Sequence, residues 1–260
     1  MKTVICHFYN EEYLLPWWLN HHKHVFDHGI MIDYHSTDNS MKIIREICPD
    51  WEIRYTKNKY FDSAPIDEEV MNIEKVLGGW RMALNVTEFL YGNTDHLTEL
   101  SEPKQYFVGN YVFVDPQNIE RGQTILDHRY PLHQQRYWGY DEFANNGNER
   151  AGETMGRMNR SIHNYPVTYL PGRHWGGDPI YNKSFDDLVI FYYGWADLND
   201  TGVKRKDQIK HKTTETGSIH SKTADQIITT GKNLQAHARD LRAEIAPILE
   251  HNRRITGQEF

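Results

Sequence analysis

Two short polar stretches carry side chains suited to binding a small ligand, and each follows an apolar run. Tyr9, Asn10 and Glu11 come after the first run, and Ser36-Thr37-Asp38 comes after the second. Open α/β sheets bind ligands in the crevice at the carboxyl ends of their strands, so we expect these stretches to share one site. The chain has neither a Gly-x-Gly-x-x-Gly fingerprint after its first strand nor a P-loop. A nucleotide would therefore be held by side chains.

Five cationic residues in the second half of the chain are candidates for binding a phosphate. They are Arg157, Arg160, Arg173, Arg205 and Lys206. A guanidinium binds two phosphate oxygens at once, whereas an ammonium acts as a point charge. We therefore select Arg160, Arg173 and Arg205 as the phosphate-binding residues.

Histidines form a second group of candidates. His174 and His220 suit either metal or phosphate, because a neutral imidazole ligates metals and an imidazolium binds anions. An ordinary structural role is equally open for both. Four further histidines lie within residues 21–28 at helical spacing, but no acidic partner accompanies them. We expect one of them, His22, to pack beneath the sheet.

The elements that position these residues are predicted by apolar periodicity. Residues 3–8, 30–34 and 51–56 are short apolar runs typical of buried parallel strands, and helical patterns separate them. Gly29 is predicted to end the first helix and Pro49 the second. This alternation predicts a parallel, doubly wound, Rossmann-like half-sheet.

Beyond residue 56 the pattern is weaker, and residues 57–78 carry no predicted regular element. The remaining predictions are a strand over 79–84, a strand over 106–114, a strand pair or bent strand over 163–169, a buried strand or helix start over 188–193, and a helical tail over 222–251. Residues 120–160 lack clear periodicity, which is typical of a functional loop region. Both halves of the chain are expected to share one sheet.

Composition limits the class of protein. The 260 residues are 38% hydrophobic and 13% aromatic, which predicts one folded domain. A formal net charge of −7 argues against a nucleic-acid partner, although it allows a local cationic pocket. No apolar run is long enough to span a bilayer and no signal-peptide core is present, so we expect a cytoplasmic protein in which Cys6 and Cys48 are buried thiols.

The order and spacing of these stretches resemble GT-A-fold nucleotide-sugar glycosyltransferases. The resemblance rests on residues 4–12, 19–22 and 32–40, with weaker support from 160–164, 172–174 and 205–208. It is closest to the branch near families 2 and 92. The chain also looks like glycosyltransferases encoded by large algal DNA viruses, which would place it in the host cytoplasm.

The resemblance implies a single GT-A domain over residues 1–260. Its mixed, mostly parallel central sheet would be flanked by helices and followed by a helical C-terminal tail. Residues 1–115 would form the nucleotide-binding half, 116–221 the acceptor-binding half and 222–260 the tail.

The resemblance also implies which residues hold the nucleotide. It places Tyr9 and Asn10 near the base, Glu11 near the ribose, and Asp38 as an acceptor for a hydrogen of the base, with Asn85 in the same set. Asn10 and Asp38 are also typical helix caps, and one residue can serve both purposes.

In the family, an Asp-x-Asp motif holds Mn²⁺ or Mg²⁺ against the donor diphosphate. Asn85-Val86-Thr87 replaces it here, which removes both charges and lowers the expected metal affinity. Three outcomes are open. Glu88 supplies the charge, with Thr87, His174 and His220 as further ligands; or an arginine or lysine replaces the metal; or the site no longer catalyses.

Inverting transfer needs a carboxylate that takes the proton of the acceptor hydroxyl. Asp141 is the first candidate, followed by Glu142 and Glu153. Asp141 and Glu142 directly follow the aromatic stretch 137–140, which is suited to stacking on a sugar.

These features predict a glycosyltransferase that moves a sugar from a nucleotide-diphosphate donor, a UDP-sugar, to a carbohydrate hydroxyl with inversion. The partners would be the donor and a glycan acceptor. One alternative is a catalytically inactive relative that binds a sugar or a partner protein, which the loss of both aspartates favours. Another is a phosphate-handling hydrolase that uses the histidines.

Overall fold

The computed structural model describes residues 1–95, 97, 102–114, 126–141, 160–174, 176, 182–184, 188–216 and 221–256. The strands in this part of the chain are β1 (Lys2–Phe8), β2 (His28–Asp33), β3 (Glu52–Tyr55), β4 (Trp80–Ala83), β5 (Glu88–Gly92), β6 (Gln105–Val108), β7 (Asn110–Phe113), β8 (Trp138–Asp141), β9 (Arg160–His163), β10 (Asn182–Ser184), β11 (Leu188–Tyr192) and β12 (Arg239–Asp240). The α-helices are α1 (Leu15–His22), α2 (Ser40–Ile47), α3 (Ser63–Glu74), α4 (Leu132–Gln135), α5 (Asp200–Asp207), α6 (Ala224–Gln235) and α7 (Arg242–Thr256).

Seven strands form a central sheet in the order β10-β6-β9-β4-β1-β2-β3. Strands β1 to β4 run parallel to one another, and β10 is parallel to β6. Only β9 is antiparallel to its neighbours, β4 and β6, within the strands described. The predicted α/β fold with a mixed, mostly parallel central sheet is therefore confirmed.

Strand β1 is buried along its whole length because helices cover both faces of the sheet. Val4, Cys6 and Phe8 belong to a core that includes α1 and α2. Ile5 points to the opposite face, where it belongs to a core with Ile66 of α3. This two-sided burial explains the unbroken apolar run at the start of the sequence.

Gly29 does not end the first helix as predicted, because it lies inside β2. A Cβ atom built at this position would lie 2.1 Å from the Trp51 ring. The glycine is needed there so that the indole of Trp51 can pack directly on the strand backbone.

A second sheet, in the order β12-β8-β7-β11-β5, lies beside the central one. Both halves of the chain share the central sheet, as predicted, because β9 and β10 of the second half join it, and both halves also contribute strands to the second sheet. The stretch 106–114, predicted as one strand, divides at Gly109 into β6 of the central sheet and β7 of the second sheet. One hydrophobic core nevertheless includes Met82 of β4, Phe89 of β5 and Phe191 of β11, so the two sheets pack on shared side chains.

Residues 57–78 contain α3, which the sequence reading missed. Ile66, Val70 and Ile73 lie on its buried face at helical spacing, but Asp67 and Glu74 are buried beside them. These acids interrupt the apolar stripe by which the helix would be predicted. They can be buried because their charges are satisfied by partners distant in the sequence.

The helical C-terminal tail is confirmed, although β12 divides it into α6 and α7. The strand pair or bent strand predicted over 163–169 differs from the structure, in which β9 ends at His163. Further along this segment, Tyr169 forms an isolated β-bridge with Gly176. Cys6 and Cys48 are free and buried, as predicted. Among the helices described, none is both long enough and apolar enough to cross a membrane.

The packing of Trp51 on Gly29 predicts a stability difference between two glycine positions. We expect Gly29→Ala to lower the free energy of unfolding by about 1–3 kcal/mol, because the indole must move to admit the methyl group. Gly78→Ala is the matched control, since its Cβ would meet nothing within 4 Å. Urea unfolding of both variants tests this, and equal midpoints would contradict the packing described.

Candidate functional site

A cleft lies at the carboxyl ends of β1 and β4, the two central strands from which the sheet is built in opposite directions. The chain proceeds outward from β1 through β2 to β3 on one side, and β4 lies on the other side. Ligands bind open α/β sheets at such a switch point. The cleft contains about 980 Å³ of free space, part of it open to solvent.

Charged residues from distant parts of the sequence line this cleft together with a smaller apolar set. The ionisable side chains are His7, Glu11, Asp67, Arg160, Arg173, His174, Arg205 and Lys206. Aromatic and aliphatic lining comes from Phe8, Tyr9, Phe61, Ile66, Val86, Tyr192 and Ile209. All three arginines selected from the sequence are brought together here.

Arg160 and Glu88 form a buried ion pair at the inner end of the cleft. The Arg160 Nε donates to both Glu88 oxygens at 3.0 Å, and a terminal nitrogen lies 2.7 Å from Oε1. Both side chains are at most 3% exposed. The backbone N–H of Asn85 donates to Oε2 of Glu88 at 2.7 Å, so the carboxylate is bonded on both oxygens.

Arg173 and Asp67 form a second pair, held by a turn of unusual backbone conformation. Gly172 and Arg173 both have positive φ, at 87° and 59°. This turn aims the Gly172 N–H at one oxygen of Asp67 and the guanidinium of Arg173 at the other, each at 2.7 Å. Burial raises the pKa of Asp67, and the charge of Arg173 opposes that shift.

Arg205 and Glu11 form the third pair, with 2.7 Å between a terminal nitrogen and Oε1. The backbone N–H of Glu11 donates to the Ser40 hydroxyl at 2.8 Å, which fixes this residue to the start of α2. Burial raises the pKa of Glu11, while Arg205 and Lys206 lower it.

Asn10 and Asp38, predicted to bind the base, accept hydrogen bonds from backbone N–H groups. Asn10 has a φ of 51° and its Oδ1 accepts the Thr37 N–H at 2.7 Å. The Asp38 carboxylate accepts the N–H groups of Glu12 and Ser40, both at 3.0 Å. These bonds join the loop after β1 to the loop after β2. Neither residue is the N-cap of a described helix, since Leu14 precedes α1 and Asn39 precedes α2, and neither residue lines the cleft. Tyr9, Glu11 and Asn85 of the same predicted set do line it.

Lys206 is the cleft cation that the sequence reading did not select. It lies near the end of α5, and its Nζ is 4.0 Å from the centre of the Trp195 ring. Among the residues described, no carboxylate forms an ion pair with it. Burial lowers its pKa well below the ordinary value, as do Arg205 and Lys222, while Glu11 raises it.

His7 is another lining residue that the sequence reading missed. It is the second-last residue of β1, and its Nε2 lies 3.3 Å from an oxygen of Glu69. Burial lowers its pKa to about 4, although Glu69 opposes the shift. The imidazole is therefore neutral at pH 7. His22 is fully buried and accepts the Leu90 N–H at 3.2 Å, as expected of a packed residue.

The residues predicted to hold a divalent ion do not fit one in the arrangement described. Arg160 binds Glu88 and also lies 3.3 Å from Nδ1 of His174, so a guanidinium lies between two of the predicted ligands. Asn85 Oδ1 already accepts from Arg173 at 3.2 Å. Within the described part of the chain, no three His, Cys, Asp or Glu side chains form a cluster suited to a metal. His220 lies outside the described residues. Thr87 lines the cleft with a neutral hydroxyl.

Of the predicted catalytic carboxylates, only Asp141 lies among the described residues. It ends β8, opposite Tyr111 of β7, and does not line the cleft. Glu142 and Glu153 lie outside the described residues. The identity of the proton acceptor stays a prediction.

The fold and the site together define an α/β protein with a charged ligand-binding cleft at the switch point of its central sheet. No protein-family model matches the chain, and no curated protein does. Among solved structures, the chain is similar to S. aureus TarS residues 1–349, with 13% identity over 91% of this chain and 72% of that one, at a TM-score of 0.38.

Two further TarS structures show comparable values. The 1–349 fragment in complex with UDP-GlcNAc has 12% identity over 97% of this chain and 77% of that one, with a TM-score of 0.32. A longer S. aureus TarS structure has 14% identity and a TM-score of 0.33, and the match covers 43% of this chain and only 22% of that one.

The Arg160–Glu88 geometry predicts a large stability loss when only one partner is removed. Arg160→Met leaves the Glu88 carboxylate buried and uncompensated, so we expect a loss of about 3–5 kcal/mol in urea unfolding. The double variant Arg160→Met/Glu88→Leu should recover part of that loss. Arg54→Gln, in the exposed pair with Glu52, is the control and should cost at most about 1 kcal/mol. Equal losses for Arg160→Met and Arg54→Gln would contradict the geometry.

Burial of His7 predicts an acidic midpoint in a histidine NMR titration. The His7 side-chain signals, assigned by comparison with His7→Gln, should titrate with a pKa of about 4 and remain those of a neutral ring from pH 8 down to about pH 6. A midpoint close to the unperturbed value of about 6.5 would show that the ring is solvated.

Proposed function

We propose that the protein is a glycosyltransferase that transfers a sugar from a UDP-sugar to a carbohydrate hydroxyl with inversion. The observation that carries this proposal is the cleft at the switch point, where four cationic side chains converge from three separate segments of the chain. Apolar and aromatic side chains line the same cleft, which suits a ligand with a flat base and an anionic diphosphate.

We assign the base of the donor to the apolar lining and its diphosphate to the cationic lining. Tyr9, Phe61 and Ile209 offer the apolar surface for the base, and the Lys212 ammonium lies 4.5 Å from the Tyr9 ring centre. The diphosphate would lie against the cationic side chains. Asn10 and Asp38 act as positioning residues, since they hold the loops that carry Tyr9 and Glu11.

The transfer step needs a base and a stabilised leaving group. A carboxylate, for which Asp141, Glu142 and Glu153 are the candidates, accepts the hydroxyl proton as the acceptor oxygen attacks the anomeric carbon. The bond from that carbon to the phosphate oxygen breaks, and its electron pair leaves with UDP. Positive charge on the cleft wall stabilises the negative charge that develops on the phosphate.

Calorimetric titration of the purified protein with UDP, GDP and dTDP tests the proposal. Each nucleotide is titrated once with Mn²⁺ and once with a chelator, and UDP should bind in at least one condition. Tyr9→Ala should weaken UDP binding by about 5- to 150-fold, since stacking of a base on an aromatic ring is worth about 1–3 kcal/mol. Tyr55→Ala, on an exposed tyrosine, is the control. Absence of binding for all three nucleotides in both conditions would contradict the proposal.

An inactive relative that only binds the nucleotide sugar is the second candidate. Asn85 and Thr87, in place of two acids, are the observation that favours it. The two functions differ in turnover: release of free sugar or transfer from a UDP-sugar requires the enzyme, whereas nucleotide binding without either indicates the inactive relative.

A further inference from the structure

The charges of the cleft are unevenly compensated. Arg160, Arg173 and Arg205 each form an ion pair with a buried acid at 2.7 Å. No carboxylate among the described residues forms an ion pair with Lys206, and its ammonium lies 4.0 Å from the centre of the Trp195 ring. The three pairs leave little net charge between them, so the ammonium of Lys206 supplies the excess positive charge of this surface.

The position between Glu88 and His174, where a divalent ion was predicted, is occupied by the guanidinium of Arg160. Arg160 is bonded to Glu88 and contacts His174, and Asn85 and Thr87, which precede Glu88, are neutral. A metal ion at Glu88 would have to displace a bidentate guanidinium and then remain close to its positive charge, which Coulomb repulsion disfavours in a buried site.

We propose that Lys206 is the residue that binds the diphosphate of the donor, and that this binding needs no divalent cation. This inference rests on the proposed function, because it names the diphosphate-binding residue of the same cleft. The packing of the ammonium on Trp195 fixes it before the ligand arrives, since a cation over an indole face is attracted by the ring. A diphosphate then provides the anionic partner that the described part of the chain does not.

The charged groups that face Lys206 affect the pKa of its ammonium. Arg205 and Lys222 repel its proton and Glu11 attracts it, with burial as the main cause of the lowered pKa. A bound diphosphate opposes this shift, because an anion beside the ammonium favours its charged form.

The test measures UDP binding by calorimetry in EDTA and in Mn²⁺, for the wild type and for two lysine variants on α5. Wild-type affinity should agree within about twofold in the two conditions. Lys206→Gln should weaken UDP binding by at least about tenfold, the loss expected for a hydrogen bond to a charged group, and should leave uridine binding unchanged. Lys204→Gln removes the same charge from an exposed position of the same helix and should change neither ligand's affinity. Lys206→Arg should retain most of the UDP affinity.

Two results would overturn the inference while leaving the proposed function in place. One is UDP binding that is lost in EDTA and restored by Mn²⁺, which is measured on the wild type and so does not depend on the folding of a variant. The other is a folded Lys206→Gln variant that binds UDP with wild-type affinity. If the wild type binds neither UDP nor uridine in either condition, the proposed function itself fails.

Discussion

The buried pair between Arg160 and Glu88 connects the parts of the molecule that surround the cleft. Arg160 begins β9 of the central sheet and Glu88 begins β5 of the second sheet. The same guanidinium donates to the Gly172 carbonyl, so it also holds the turn that presents Arg173. Burying two charges is costly unless every donor and acceptor is satisfied, and here both carboxylate oxygens and all three guanidinium nitrogens are bonded.

This pair also determines what the rest of the cleft can do. Glu88 was predicted to supply the charge of a metal site, but its carboxylate is paired with Arg160, which lies 72 residues further along the chain. Asp67 and Glu11 are likewise paired, with Arg173 and Arg205 respectively. Because the acids neutralise the arginines, we assign anion binding to Lys206, whose ammonium lies over the Trp195 ring and has no carboxylate ion-pair partner among the described residues.

Parts of this arrangement could be predicted from the sequence because they depend on local patterns. The apolar runs gave the correct parallel strands β1 to β3, and the polar stretches after them gave Tyr9 and Glu11 as cleft residues. The division at Gly109 could not be predicted, because the strands on both sides of it are equally apolar and differ only in the sheet that each joins.

The charge pairing was inaccessible for a similar reason. Each ion pair joins residues far apart in the chain, so a single sequence shows the charges but not their partners. One usable signal was overlooked: Asp67 and Glu74 lie on the apolar face of α3, seven residues apart, where an acid must have a buried partner. In the sequence, guanidinium geometry alone favours Arg205 over Lys206 as a phosphate-binding residue. A guanidinium that is already paired with an acid has fewer donors left for a phosphate.

A crystal structure of the protein grown with UDP and Mn²⁺ tests the central claim most directly. The account predicts the diphosphate within hydrogen-bonding distance of Lys206 Nζ, the Arg160–Glu88 pair intact, and no manganese signal in anomalous scattering between Glu88 and His174. Manganese bound to Glu88, with Arg160 displaced from the carboxylate, would contradict it.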